Sequence, residues 1–300
     1  MNRHAYLIMA HTNPEQLKTL IRLLDDPRND IYVHLDAGAP FGEELFVNCC
    51  SASELTFINP RIKAHWGGYS LARIEIALLE QATRRHYSYY HLLSGMDLPI
   101  KTQDVIHDFF DRNEGKEFIN LWTIKGNTRS RFNCWSPFPE GGGNFLLNFI
   151  NNIAKGIQLS LGVGINKDIV FKYGSQWFSI SDGMARYAVT QKDWLEKTFR
   201  HTTTCDEVFM ATLLWRSPFR DNLYDKTEHS GNSTSDNDSN MRFIDWTRGE
   251  SVRHPWVFRF EDYDLLMSVP HFWARKFDER RDRRIIDRIV STLKVKSQDC

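Results

Sequence analysis

Residues 5–36 read AYLIMAHTNPEQLKTLIRLLDDPRNDIYVHLD, and this stretch decides the fold class. The apolar run 5–10 predicts a buried strand, and the polar cluster 12–14 with its proline marks the start of a helix. Leucine and isoleucine at helical spacing predict that this helix covers 15–24. Residues 31–36 then predict a second buried strand that ends in a carboxylate. The stretch therefore predicts a strand, helix, strand unit of the kind that builds parallel sheets.

The same alternation continues along the chain. Residues 55–58 predict a third strand, 70–82 an amphipathic helix after the Gly67-Gly68 turn, and 89–93 a fourth strand. Strands and helices that alternate at this spacing predict an α/β fold whose central sheet is mainly parallel and flanked by helices.

Polar residues follow three of these predicted strands. In such folds ligands bind beyond the carboxyl ends of the strands, where His11, Asp36 and Asp97 fall. Each has a structural alternative: the histidine suits a helix cap, the first aspartate a turn, and the second an N-cap before proline. Together the three residues favour a pocket at this edge of the sheet.

Composition excludes some classes of protein. The 300 residues carry 38 Lys+Arg and 38 Asp+Glu, so the formal net charge is zero. That balance argues against a general binder of nucleic acid or anionic membranes, and any basic site must be local. Aromatic residues make up 13% of the chain. They suit either a Phe-rich core or the stacking of rings on planar or sugar-like ligands, and both interpretations remain open.

The cysteines and the apolar runs indicate which cellular compartment to expect. Five scattered cysteines, with no CxxC pair, are typical of reduced thiols and argue against a zinc site. No apolar run approaches the ~20 residues of a membrane span or the core of a signal peptide. We expect a soluble, cytoplasmic protein with no integral membrane segment, and peripheral attachment at the inner face of the membrane stays open.

The middle of the chain is less regular. Residues 141–166 are rich in Gly and Asn and predict a loop or mobile flap beside short helices. Residues 174–181 predict a strand, and 182–195 a helix. The polar, low-complexity residues 225–240 predict an exposed loop. Whether the two loops become ordered when substrate binds is open.

Two adjacent carboxylates, Asp206 and Glu207, precede an apolar helical run. Carboxylates in the first turn of a helix interact favourably with its macrodipole, so ordinary capping is one interpretation. One carboxylate would suffice for that. The other, aimed into a cleft, can accept a proton from an alcohol as a general base.

Cations in aromatic surroundings mark the C-terminal part. Arg253 stands in VRHPWVF and Lys276 in FWARKFD, and both suit a phosphate, the first by its planar fork and the second as a point charge. The charge run 279–284 predicts instead the solvated face of a helix over 279–293. Asp236-Asn237-Asp238 matches an Asp-x-Asp metal motif, but its Ser/Asn-rich setting argues against that role.

These strings resemble one family. The segments AYLIMAH, WGGYSLARIEIALL, SGMDLPIKT, DEVFMATLL and FWARKFD are similar, in this order, to core-2/I-branching β-1,6-N-acetylglucosaminyltransferases. That family, glycosyltransferase family 14, also contains peptide O-xylosyltransferases. The short form of the chain suggests a bacterial-type member.

The resemblance implies a GT-A-like fold with a Rossmann-like sheet. We expect a single domain over 1–300, with a nucleotide-binding half at about 1–125 and an acceptor- and diphosphate-binding half at about 126–300. The implied reaction is an inverting transfer from a UDP-sugar to a glycan acceptor, with no metal ion and no cofactor. N-acetylglucosamine is the expected sugar and xylose the alternative. A catalytically silent nucleotide-sugar or glycan-binding protein is the alternative from another class.

The resemblance also implies roles for individual residues. Glu207 matches the family's catalytic base, and Arg253 with Lys276 matches the pair that neutralises the diphosphate. His11 and Asp36 match positions on the nucleotide side.

The pocket has two further candidates. Trp246 matches an aromatic near the acceptor sugar, where an indole face can stack on a pyranose. Asp97 is a candidate for the donor or acceptor pocket because of its position after a strand.

Overall fold

The computed structural model describes residues 2–124, 126–141, 143–229, 238–248 and 254–298. Its strands are β1 (His4–Ala10), β2 (Asn29–Leu35), β3 (Glu54–Phe57), β4 (Tyr89–Ser94), β5 (Asp97–Pro99), β6 (Leu121–Trp122), β7 (Ser179–Ser181), β8 (Glu228–His229), β9 (Arg242–Ile244) and β10 (Trp273–Arg275). Its α-helices are α1 (Pro14–Leu24), α2 (Tyr69–Ala82), α3 (Gln103–Arg112), α4 (Ser130–Asn133), α5 (Phe145–Ser160), α6 (Asp182–Thr190), α7 (Lys192–Phe199), α8 (Phe209–Arg216), α9 (Tyr263–Ser268) and α10 (Arg283–Gln298).

The central sheet has the strand order β3-β2-β1-β4-β7. Its first four strands run parallel, and β7 is antiparallel to β4. All residues of β2 and β4 are buried, which explains why these strands read as near-continuous apolar runs. The expected α/β fold with a mainly parallel, Rossmann-like sheet is confirmed.

Side chains of β1 alternate between two hydrophobic cores, one on each face of the sheet. Ala5 and Leu7 pack with apolar residues of α2, α6 and α8, whereas Tyr6 and Ile8 pack with those of α1, α3 and α10. This period of two is what a strand covered by helices on both faces requires.

A smaller sheet continues from the carboxyl end of β4. Its order is β5-β10-β9, and β10 pairs antiparallel with β5 so that Arg275 lies opposite Asp97. The C-terminal part of the chain is thereby brought back to the edge of the central sheet where β1 and β4 end.

The loop or flap expected at 141–166 is wrong, because α5 occupies sixteen of these residues. The side chain of Asn144 accepts hydrogen bonds from the amides of Leu146 and Leu147, which is a regular N-cap. The Gly and Asn content suggested a loop, but the asparagines act as a cap and as anchors of one helix face.

Three other element boundaries differ from expectation. The strand expected at 174–181 is reduced to β7, because only Ser179–Ser181 pair with β4. The helix expected at 182–195 is two helices that meet at Gln191. The C-terminal helix begins at Arg283 and not at residue 279, because Asp282 accepts the amide of Arg284.

The expected exposed loop at 225–240 is also partly wrong. Residues 230–237 lie outside the described residues, but β8 pairs with β6, and Ser239 and Asn240 are buried. Asn240 Nδ2 donates to the carbonyl of Trp177 at 3.0 Å, which ties this end of the segment to the core.

Two further expectations concern cysteines and membranes. Cys49, Cys50, Cys134 and Cys205 are free thiols, as expected, whereas Cys300 lies outside the described residues. Within the described ranges, none of the helices combines the length and the apolar character needed to cross a bilayer.

Candidate functional site

The segment around Lys276 is fixed to the carboxyl edge of the central sheet. The amide of Phe277 donates to the carbonyl of Met96 at 2.9 Å, just beyond β4. At the start of α1, Asn13 Nδ2 donates to Asp278 Oδ1 at 3.0 Å, and Gln16 Nε2 donates to the carbonyl of Phe277 at 3.1 Å. Lys276 therefore lies where β1 and β4 end, although it is more than 175 residues from β4 in sequence.

Lys276 itself is half-buried. Burial lowers the pKa of its ammonium, and the neighbouring Arg275 lowers it further. None of the described residues offers this ammonium a hydrogen bond or an ion pair. A cation that is partly desolvated and unpaired is well suited to meet an anionic ligand.

Arg275 is held in place by Asp97. Its Nη1 donates to Asp97 Oδ1 at 2.9 Å, and Asp97 Oδ2 accepts the amide of Ser94 at 2.8 Å. Burial raises the pKa of Asp97, while Arg275 opposes that shift. The guanidinium also lies over the ring of Trp177, 4.4 Å from its centroid. Asp97 thus has both oxygens occupied and acts on the site through Arg275.

His11 directly follows β1, and charged residues from other segments shift the pKa of its imidazole. Partial burial lowers the pKa of its imidazole, Asp36 opposes the shift, and Lys276 adds to it. The structure therefore brings His11 near both Asp36 and Lys276, residues that are far apart in the sequence.

Asp36 shapes the loop that follows β2. Its Oδ1 accepts the amide of Gly38 and its Oδ2 accepts the amide of Ala64, each at 2.6 Å. The turn-forming interpretation of Asp36 is therefore correct for its own loop. The second hydrogen bond also draws the loop before Gly67 to the edge of the sheet.

Glu207 lies in a short 3-10 turn, Cys205–Glu207, just before α8. Its Oε2 accepts a hydrogen bond from Tyr173 Oη at 2.9 Å, and its carbonyl accepts the amide of Gly174 at 2.9 Å. Burial raises the pKa of the Glu207 carboxyl, whereas Tyr173 and Arg131 oppose that shift. The Oε1 atom has no hydrogen-bond partner in the described part of the chain.

Two more carboxyls lie behind Glu207. Burial and the charge of Glu207 raise the pKa of Asp206 to about 7, and its shielded Oδ1 lacks a partner among the described residues. Glu75, on α2, is fully buried, and burial raises its pKa well above the usual range. This cluster therefore carries less negative charge near neutral pH than its three carboxyls suggest.

The Gly67-Gly68 turn holds the segment that leads to Glu207. The amide of Thr204 donates to the carbonyl of Gly67 at 2.7 Å, and Gly67 adopts a φ of +72°, which favours glycine. The adjacent Trp66 is 76% exposed. An exposed indole between the Asp36 loop and the Glu207 turn is a feature that the sequence did not single out.

Residues 173–177 connect the two sides of the site. Tyr173 bonds Glu207, Gln176 Nε2 donates to Glu75 Oε1 at 2.9 Å, and Trp177 carries Arg275 on its ring. Sequence reasoning missed all three roles, since these residues bear no charge. The only available signal was the GSQWFSIS string, which follows directly after Tyr173.

The remaining candidates are Trp246, Arg253 and the Asp-x-Asp motif. Trp246 follows β9 and is 37% exposed, and no described contact joins it to Glu207 or Lys276. Arg253 lies outside the described residues, as does Asp236 of the Asp-x-Asp motif. The motif's Asp238 bonds His271 Nε2 at 2.8 Å.

Two further features of the described residues bear on metal binding and on cavities. Across the described ranges no group of three or more His, Cys, Asp or Glu side chains is placed to hold a metal ion. A cavity of about 790 Å³ lies between α3 and the segment around His271, and it is not lined by Glu207 or Lys276.

Comparisons with known proteins identify relatives. The family model described as Core-2/I-branching enzyme matches residues 4–266. Xylosyltransferase 2 of Mus musculus is 25% identical over 95% of this chain, and the Canis lupus familiaris protein 23%. Xylosyltransferase oxt of Drosophila melanogaster is 24% identical over 88% of it. These alignments cover 33%, 33% and 30% of the relatives, so the chain spans about a third of their length.

A solved structure was also matched. Mouse xyloside xylosyltransferase 1, in its apo form, aligns with a TM-score of 0.33 and 10% identity, over 73% of this chain and 83% of that one.

Proposed function

The chain belongs to the Core-2/I-branching enzyme family of glycosyltransferases, and from that premise we propose that it transfers a sugar from a UDP-sugar to a hydroxyl of a glycan acceptor. The proposed transfer inverts the anomeric centre and needs no metal ion. One observation supports it most. The short segment 173–177 contacts both Glu207, whose pKa is raised by burial, and Arg275, the neighbour of a lysine that has no ion-pair partner among the described residues.

Lys276 is proposed to stabilise the leaving group. As the bond from the anomeric carbon to the diphosphate oxygen breaks, the electron pair leaves with UDP and negative charge grows on its phosphates. A fixed, partly desolvated ammonium stabilises that charge more strongly than one in bulk water. Arg253 is proposed to share this task, and Arg275, held by Asp97, keeps Lys276 in a positive surrounding.

Glu207 is proposed as the general base. Its carboxylate accepts the proton of the acceptor hydroxyl while that oxygen bonds to the anomeric carbon from the face opposite UDP. One base suffices because inversion is a single displacement without a covalent glycosyl intermediate. The hydrogen bond from Tyr173 occupies Oε2, so Oε1 is the atom we assign to the acceptor.

The nucleotide and acceptor ends are proposed from the family resemblance. His11 and Asp36, in the half at about 1–125, face the nucleotide. Trp246, in the half at about 126–300, is the proposed stacking surface for an acceptor sugar, and the exposed Trp66 is a second one.

The donor sugar has two candidates. The family resemblance implies N-acetylglucosamine, and the relatives named above are xylosyltransferases, which favours xylose. The acceptor is a glycan or, by analogy with the xylosyltransferases, a protein hydroxyl.

A donor panel tests the proposal. The purified chain is incubated with UDP-N-acetylglucosamine, UDP-xylose and other UDP-sugars plus acceptors, and UDP release is measured with and without EDTA. We expect release with one donor, unchanged by EDTA and absent in Glu207→Gln. Thermal shifts with UDP-sugars report binding in parallel. Binding without release for any donor would contradict transfer and favour the catalytically silent module.

A further inference from the structure

Helix α5 has no buried residue and presents apolar side chains to solvent. Phe145 is 85% exposed, Leu146 62% and Phe149 53%, and Ile153 and Ile157 are about half exposed. Single exposed apolar residues are common on protein surfaces, but a contiguous row marks an interaction site.

The exposed residues form one stripe along the helix. Phe145, Phe149, Ile153 and Ile157 recur every four residues, so they line one face over about 18 Å. The stripe is a ridge and not a groove, because it stands on a helix with no buried residue.

The opposite side of α5 is attached by polar side chains instead of a core. Asn151 exchanges hydrogen bonds with the backbone of Phe138 at 2.9 and 3.0 Å, and Gln158 does the same with Trp135 at 2.8 Å. These amide pairs fix which face turns inward, so the apolar face is held outward.

The segment that carries α5 is basic. Residues 123–172 contain six Lys or Arg and two acidic residues, a net charge of +4 in a chain whose total is zero. One of the acidic side chains, Glu140, is turned to Ser70, whose amide and hydroxyl donate to it at 2.9 and 2.7 Å. Lys172 is paired with Glu228 outside this segment, which leaves a net charge of +3, with Lys155 on α5 itself and Lys167 seven residues after its end.

The positive charge of this segment indicates which kind of partner covers the apolar face of α5. In a two-fold dimer through α5 the same patch would face itself, so basic groups would meet basic groups. An anionic lipid surface complements the charge and accepts an apolar ridge at the depth of its headgroups. Exposed Trp135 and Phe138 beside the helix suit that interface.

We propose that α5 docks this chain on the surface of an anionic phospholipid bilayer, with the helix lying in the plane of the interface. The proposal does not depend on the donor chemistry. It has a consequence for orientation: the amide of Thr203 donates to the carbonyl of Arg131 at 3.1 Å, and Ser136 donates to His201 at 2.8 Å. The segment that ends in Glu207 is therefore bonded to residues 131–136, which neighbour the backbone groups of Trp135 and Phe138 that anchor α5.

Sedimentation with lipid vesicles tests the proposal. Vesicles of phosphatidylcholine alone and with about 30% phosphatidylglycerol are compared at low and physiological salt. We expect the chain to bind the anionic vesicles, more weakly at higher salt, and the double variant Phe149→Asp/Ile153→Asp to bind at least ~10-fold less. Val47→Asp, at a residue that is 70% exposed outside this segment, should bind like the unmodified chain.

Vesicle binding by the unmodified chain tests the proposal even if a variant fails to fold. Failure to bind anionic vesicles, or equal binding to neutral ones, would overturn the proposal. Sedimentation velocity without lipid separates the other occupant: a dimer that dissociates in the double variant would show that a second copy covers α5. Thermal unfolding of both variants checks that the loss of binding does not come from unfolding.

Discussion

The two sides of the candidate site are built in opposite ways. Around Lys276 polar groups pair with one another, as in the Arg275 and Asp97 ion pair, while the Lys276 ammonium has no such partner in the described part of the chain. Around Glu207 carboxyls crowd together with few donors, and burial raises their pKa values. One side thus presents a charge that is fixed in advance, whereas the other presents a carboxyl whose pKa is set by its surroundings, as the proposed base requires.

The largest expected effect is a loss of transfer when Glu207, the proposed base, is substituted. Glu207→Gln keeps the shape of the side chain but cannot accept the proton, so we expect transfer to fall by about 10³-fold. Asp206→Asn is the matched control, because its carboxyl is already partly neutral near pH 7. It should retain transfer within about tenfold. Steady-state UDP release measures both variants, and a reversed order would assign the base to Asp206.

A smaller effect, on stability, distinguishes the cation side. Asp97→Asn leaves Arg275 without its buried counter-charge, so we expect the free energy of unfolding to fall by about 2–3 kcal/mol. Glu80→Gln removes the exposed pair with Lys192 and should cost less than about 0.5 kcal/mol. Urea denaturation of the two variants checks the difference, and equal stabilities would contradict a preorganised cation side.

The smallest expected effect is a shift of a pH profile. The base acts only when ionised, so transfer is lost as pH falls through the pKa of Glu207. The Tyr173 hydrogen bond lowers that pKa, so Tyr173→Phe should move the acid limb of kcat to higher pH. Tyr224→Phe, which alters an exposed phenol elsewhere, should leave the limb unchanged. A limb that stays in place in Tyr173→Phe would remove Glu207 as its source.

Much of the fold could be predicted from the sequence because its strands are buried on both faces. The apolar runs before His11 and Asp36 are typical of buried strands. The parallel arrangement of these strands brings their carboxyl ends to one edge of the sheet. The position of Glu207 at the start of a helical run was also visible, because its apolar spacing begins directly after the carboxylates.

The rest depended on contacts between distant residues. The hydrogen bond from Tyr173 to Glu207 spans 34 residues, and the pair of Asp97 with Arg275 spans 178. No local pattern encodes such pairs. The prediction for residues 141–166 failed for another reason. A high asparagine content is typical of loops, and only the hydrogen bonds of Asn144 and Asn151 show that they cap and anchor a helix.

The central proposal is that Lys276 binds the diphosphate and Glu207 acts only as the base. Calorimetric titration of UDP into Glu207→Gln and Lys276→Ala tests it most directly. We expect Glu207→Gln to bind UDP as the unmodified chain does, and Lys276→Ala to bind it about 10–100-fold more weakly, because a charge-assisted contact to phosphate is lost. Unchanged affinity in Lys276→Ala, or an equal loss in both variants, would contradict it.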